Sequence, residues 1–215
     1  HLSKEGLVQV IPQRGTMVSL IDPGRVQQEF FLRECLETAV LDSFTRNCGA
    51  GHIEELERLI GLQEQALNGK AYGEFIEYDD SFHRFIFEIA GQPLSWELVS
   101  GMCGHYHRVR VLTIWMAETT RPGAPPESPS SGLSIGTEKV RQHRVICAAL
   151  KSKNPEQARS ALYSHLHDLG PDETLLQREF PSYFIPTTAK NSFDVDFGGF
   201  PASAEGLNNK QPKLV

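Results

Sequence analysis

"EYDDSFHRFI" (residues 77–86) reads as one stretch of amphipathic helix in which two adjacent acids precede a histidine. Asp79 and His83 stand four apart and Asp80 and His83 three apart, so either acid can share a helix face with the imidazole. A turn of about 100° per residue separates the two acids. Phe75, Phe82, Phe85, Ile86, Ile89 and Ala90 fill one arc, with Asp79 inside it and His83 just past its edge. Asp80 falls with Glu77, Arg84 and Glu88 on the solvated side. The spacing therefore predicts that Asp79 faces inward with His83 and that Asp80 does not.

The same period of 3.6 continues on both sides of this stretch and predicts helices over 23–46, 52–68, 72–90, 95–117, 138–151 and 155–169. Gly69 and Gly91 sit where C-terminal caps belong, and Asn154-Pro155 is an N-cap followed by a first-turn proline. The expected fold is all-α, an antiparallel bundle of six to seven helices spanning 22–169. Before it, "GLVQVIPQRGTMVSLID" (6–22) has two β-rich runs, Gly6 to Ile11 and Thr16 to Ile21, around "PQRG", the pattern of a β-hairpin. A lone hairpin is marginal in water, so residues 1–21 read as the remnant of a larger domain. The Pro/Gly/Ser-rich stretch 119–136 reads as a mobile loop, and 170–215 as an irregular, partly disordered tail.

Composition narrows the function classes. The 215 residues suffice for one sizeable domain, and 40% hydrophobic and 9% aromatic content are ordinary for a soluble globular protein. A net charge of −6 argues against a broad nucleic-acid-binding surface within these residues. Cys35, Cys48, Cys103 and Cys147 form no CxxC pair, and no signal peptide opens the chain, so they read as reduced thiols of a cytoplasmic protein. No run approaches the roughly 20 apolar residues of a membrane span.

Two further helices carry inward histidines. His143 lies amid Val140, Ile146, Cys147 and Leu150, and His165 amid Ala158, Ala161, Leu162, Leu166 and Leu169, whereas His167 points the opposite way. A single histidine on an apolar stripe is more often a satisfied core residue than a ligand. A buried carboxylate is different, because without a partner it costs several kcal/mol. One shared divalent cation satisfies Asp79, His83, His143 and His165 together. That donor set suits zinc first, and also nickel, manganese or iron, with positions open for water or a carboxylate.

Other inward polar residues suggest a ligand beside the metal. Arg33 and Glu37 fall in the middle of the stripe Val26, Phe30, Leu32, Leu36, Val40 and Phe44. They form either a structural ion pair or a site where the Arg33 guanidinium holds a carboxylate through two parallel hydrogen bonds. Metal plus arginine would make a receptor for a small organic acid. His105 lies on the stripe Leu98, Met102, Val109, Leu112 and Met116, as a further ligand, a supporting group or simply core, with core the default. Arg108 and Arg110 fall further from that stripe.

These segments resemble the GntR superfamily of bacterial transcription regulators, in its FadR-type branch with the all-helical FCD effector domain. The 6–22 hairpin looks like the wing of their winged helix-turn-helix. "RECLE" (33–37) resembles the arginine-bearing first effector-domain helix. "DDSFHRFIFEIAGQP" (79–93) resembles the Asp-x-x-Phe-His segment and Ala-Gly-Asn-Pro turn, with Gln92 in place of asparagine. "QHRVICAAL" (142–150) resembles Glu-His-x-x-Ile, with Gln142 in place of glutamate, and "NPEQARSALYSHL" (154–166) the final histidine-bearing helix.

The resemblance implies that Asp79, His83, His143 and His165 bind one divalent metal. It implies a small carboxylate effector held beside the metal, with Arg33 and His105 as candidate contacts, and a homodimer that binds operator DNA. Arg14 and Gly15 would be the DNA-facing remnant at the wing tip. Most of the winged helix, including the recognition helix, would lie outside these residues. The expected protein is therefore a ligand-sensing regulator and not an enzyme. The contrasting readings are a metal-dependent helical hydrolase, which would need a general base near a metal-bound water, and a metal-free interaction module.

Overall fold

Twelve elements of regular backbone among the described residues frame the buried acid of residue 79. The computed structural model of the protein describes residues 3, 5–119, 132–168 and 173–186. A hairpin of β1 (Val8–Ile11) and β2 (Gly15–Val18) comes first, antiparallel, with Val8 opposite Val18 and Ile11 opposite Gly15. Its turn needs left-handed backbone at Gln13 (φ 61°) and Gly15 (φ 117°), and the glycine takes this at no steric cost. Met17 and Val18 remain 60% and 71% exposed, so the hairpin brings little apolar cover of its own.

Helix α1 (Pro23–Ala39) opens with Asp22 as N-cap, whose side chain accepts from Gly24 N (2.9 Å), followed by Pro23 at its first position. The chain continues through α2 (Leu41–Asn47), α3 (Ala50–Asn68), α4 (Tyr72–Ile89), α5 (Pro93–Met102), α6 (Gly104–Thr119), α7 (Gly132–Lys151) and α8 (Pro155–His167). Helix α9 (Glu173–Glu179) and a 3₁₀ turn (Pro181–Tyr183) follow. α3 packs on α4 and α7, α7 on α8 and α6, and α1 on α6. Phe44, Leu56, Phe82, Ile146 and Leu150 are completely shut off from solvent among them.

The all-α architecture with a leading hairpin is as expected, and the differences have local causes. The helix predicted over 23–46 divides at Val40, and the helix predicted over 95–117 divides at Cys103, where ψ of 38° leaves the helical region. α7 begins at Gly132, inside the stretch read as loop; 120–131 lie outside the described residues. Part of the predicted irregular tail is ordered: α9 and the 3₁₀ turn return to the start of the chain. Ile21 N–H donates to Tyr183 O (2.7 Å) and Ile185 N–H to Ile21 O (2.8 Å), a parallel bridge centred on Ile21 and Phe184. Ile21 is fully buried and Phe184 nearly so. The rest of the tail, 187–215, lies outside the described residues.

Candidate metal centre

Helix α4 separates its apolar and polar faces strongly, and the arc that buries Phe75, Phe82 and Ile86 also takes in Asp79 and His83. α7 brings His143 and α8 brings His165 to the same point, and all four side chains are buried. Each offers one donor atom, and these four atoms lie within 4.8 Å of one another, the one such cluster found among the described residues. His143 Nε2 faces His165 Nε2 at 3.1 Å. Asp79 Oδ1 lies 3.6 Å from His143 Nε2, and Asp79 Oδ2 lies 3.9 Å from His83 Nε2.

The opposite ring nitrogens decide what these atoms can do. His143 Nδ1 meets Gln63 Oε1 at 2.7 Å, and His165 Nδ1 meets Gln142 Oε1 at 2.9 Å. Neither amide can be turned round. Gln63 Nε2 donates to Tyr78 O (3.2 Å), and Gln142 Nε2 donates to Glu138 Oε1 (3.1 Å) and to Asp168 Oδ2. Both imidazoles must therefore donate from Nδ1, a tautomer assigned by the network. Their Nε2 lone pairs then point at each other with no proton between them. Burial pushes His143 down to about 3 and His165 well below the usual imidazole range, so neither ring is protonated near neutral pH.

His83 completes the pattern. Its Nδ1 lies 2.6 Å from Glu37 Oε2, close but out of line for a hydrogen bond, and its Nε2 has no hydrogen-bond partner. Burial pushes the Glu37 carboxyl up, but Arg33 and His83 outweigh it and hold it at about 2. Asp79 is likewise pushed up by burial and pulled further down, first by Arg110 and then by His143 and His83. Two imidazole lone pairs, the unpartnered Nε2 of His83 and an ionised carboxylate thus converge in a buried site. Buried acceptors facing one another without a donor are costly. The donor set, all nitrogen and oxygen, fits a borderline divalent cation.

A cavity of about 50 Å³ adjoins the cluster, lined by Asp79, Arg33, Tyr106, Arg110, Lys139 and His165 together with apolar side chains such as Phe75 and Ile135. Arg33 is salt-bridged to Glu37 and lies over the Tyr106 ring, 5.4 Å from its centroid. Arg110, given less weight from the sequence, donates to Asp79 Oδ2 and, at 2.7 Å, to Asp80 Oδ1. Asp80 is therefore not a free surface acid, although it is the more exposed of the pair. Lys139 Nζ donates to His165 O (2.7 Å) and Asp168 O, and burial lowers it to about 8.

His105 is placed elsewhere. It is buried, but its Nδ1 accepts from Asp22 N–H (3.1 Å) at the junction of hairpin and bundle, and it does not line the cavity. Arg14 and Gly15 sit at the exposed tip of the hairpin. Gln63 and Gln142 were not singled out as site residues from the sequence. Gln63 could have been, since it falls on the α3 face that buries Leu56, Leu59, Ile60 and Leu67 and is itself wholly buried.

With the fold and the cluster in place, comparison with known proteins is informative. The FCD domain model matches residues 29–168. The chain belongs to the FCD family. This is the GntR-type branch whose motifs the sequence resembles. Among curated relatives, the HTH-type transcriptional repressor RspR of Escherichia coli (strain K12) is 26% identical over 183 residues, 85% of this chain and 73% of the relative. An HTH-type transcriptional regulator from an unstable DNA locus of Streptomyces ambofaciens is 30% identical over 188 residues, 87% and 72% of the two chains. The solved structure of E. coli McbR/YncC superposes with a TM-score of 0.64 at 17% identity, over 83% of this chain and 80% of that one, and so shares the FCD-type fold. These FCD relatives are transcriptional regulators, which removes the hydrolase reading.

Proposed function

We propose that this FCD domain is the sensor of a transcriptional regulator, in which Asp79, His83, His143 and His165 hold one divalent transition metal, zinc first among the candidates. A small organic acid binds beside it in the cavity, and Arg110 and Arg33 are the cationic groups positioned to meet its carboxylate. The hairpin is the wing of a winged helix-turn-helix, with Arg14 and Gly15 at its tip, and the regulator binds operator DNA as a homodimer. The observation that carries this reading is the convergence of three imidazole Nε2 atoms and one ionised carboxylate in a buried space, with the Nδ1 atoms of His143 and His165 held by Gln63 and Gln142. A bound cation supplies positive charge and open coordination positions for an acid; the chain supplies the orientation of the ligands and the apolar walls. The carboxylates Asp79, Asp80 and Glu37 already neutralise Arg110 and Arg33. An incoming acid is therefore bound well only when the metal adds charge to the site. Localisation in the cytoplasm fits this role, and no described helix is long and apolar enough to cross a membrane.

The test is metal analysis of protein purified without chelator or nickel resin, followed by a thermal-shift panel of small mono- and dicarboxylates with and without metal. About one ion per chain is expected, with acids stabilising only the metal-loaded form. Absence of metal even after it is supplied, or stabilisation by sugars or amines and by no acid, would sink the proposal.

A further inference from the structure

Helix α6 has one foot in the cavity and the other on the hairpin. Tyr106, Arg110 and Thr113 line the cavity. From the same helix, His105 Nδ1 accepts from Asp22 N–H (3.1 Å), and Arg108 Nη1 donates to Ser19 O (2.7 Å). Those two bonds fall on the linker, residues 19–22, that joins β2 to α1. At the first residue of α6, Gly104 takes the Leu7 side chain of the hairpin so closely that a Cβ there would stand 2.8 Å from Leu7 Cδ2. The linker and the cavity are thus held by alternate residues of a single two-turn stretch, 104–110.

The neighbouring face of α1 repeats the connection. Its buried side carries Glu29, Arg33 and Glu37 at successive four-residue steps. Arg25 beside Gly6 pairs with Glu29 (2.8 Å), and Glu29 Oε2 accepts from Tyr106 N–H (2.9 Å) in the first turn of α6. Arg33 lies over the Tyr106 ring and pairs with Glu37, whose other oxygen faces His83. A run of charged contacts therefore extends from the hairpin to the metal cluster along the α1–α6 seam. Buried ion pairs of this kind hold their geometry strictly, because moving one partner leaves the other unpaired.

We infer that α6, seated on the ionic face of α1, is the element that carries occupancy of the buried site to the hairpin linker. The inference rests on the sensor reading above. Charge added at the cluster draws on Asp79 and Glu37, which now hold Arg110 and Arg33, and a shift of either arginine moves α6 relative to α4. The same helix then moves the backbone of Ser19 and Asp22. Coupling of this kind is reciprocal, so a change at the linker end must alter binding at the cavity end.

The experiment is amide hydrogen exchange of the full chain, read at Ser19, Ile21 and Asp22, with zinc as the probe and zinc affinity measured alongside. Zinc binding is expected to change exchange at those amides. Arg108→Gln, which touches neither cavity nor cluster, is expected to blunt that change and to shift zinc affinity about 2- to 30-fold, the usual range for residues along a coupled element. Zinc that binds wild-type protein and leaves the linker unchanged overturns the coupling and leaves the metal site standing. If zinc does not bind, the metal reading fails, and Arg110→Gln in zinc-free protein decides the coupling. Faster exchange at the linker with α3 unchanged supports it, and an unchanged linker overturns it. Should that variant not fold, Thr113→Val on the same cavity-facing side serves in its place with the same two outcomes.

Discussion

Asp79 and Asp80 hold the same guanidinium. From adjacent positions of α4, one carboxylate reaches inward and the other outward, and Arg110 is clasped between them. Only Asp79 also faces His83 and His143. The two acids therefore share an arginine but differ in what else they touch, and their removal should have different consequences.

Asp79→Ala is expected to strip the metal, because it removes a ligand and leaves Arg110 charged beside three imidazoles. Asp80→Ala is expected to retain metal while weakening the stabilisation given by a carboxylate, since Arg110 loses the partner that fixes its outer nitrogen. Metal content and thermal shift measured on both variants separate the two roles. Equal loss of metal in both would overturn the assignment of Asp79 as the ligand.

Gln63→Leu and Gln142→Leu test the orientation of the rings. Each keeps approximate side-chain length and removes the oxygen that holds a histidine Nδ1–H. Groups that orient ligands in this way typically contribute 10- to 100-fold in metal affinity, so a loss of that size is expected from each, measured by competition with a chromophoric chelator. Unchanged affinity would mean that the cluster holds its tautomers without the glutamines.

Acid should destabilise the metal-free protein over a defined window. His143, held by burial at about 3, stays neutral in the folded state while the unfolded chain's imidazoles charge near 6.5. His165 acts in the same direction. The unfolded state then binds more protons between about pH 3 and 6.5, so stability falls as pH drops through that range, by up to about 1.4 kcal/mol per pH unit per group. Glu37, at about 2 against an ordinary 4.5, contributes stability that is present above 4.5 and lost as pH falls towards 2. The urea midpoint in chelator should therefore decline steadily from pH 7 to pH 4. A flat profile would show that the rings are hydrated or already charged inside.

The four cluster residues were legible in the sequence because each is a polar group on an otherwise apolar arc, and helical periodicity exposes that conflict directly. Arg33 and Glu37 were legible for the same reason. His105 is buried on the α6 face that also buries Val109, Leu112 and Met116, as the stripe implies, whereas Arg110, read as further from that stripe, lines the cavity. Read as one helix over 95–117, the chain aligns His105 with Leu98 and Met102, yet both of those are 49% exposed. The break at Cys103 resets the phase between α5 and α6, so that Leu98 and Met102 no longer share the buried face of His105, Val109 and Leu112. Gly101 and Gly104 flank the break, but a glycine inside a helical pattern does not by itself mark a stop. The ordered stretch 173–185 was invisible for another reason. Its order comes from pairing with Ile21, about 160 residues away in sequence, and local pattern carries no trace of such a contact.

That pairing has a structural implication of its own. Because Ile21 and Phe184 lie side by side, the polypeptide enters and leaves the helical body at a single point on its surface. A body with neighbouring entry and exit can be transplanted whole, provided that what is fused before residue 21 still meets Gly104 and Arg108 as Leu7 and Ser19 do. Exchange of residues 21–184 between regulators of this family should therefore create hybrids in which one sensor reports through another protein's DNA-binding domain.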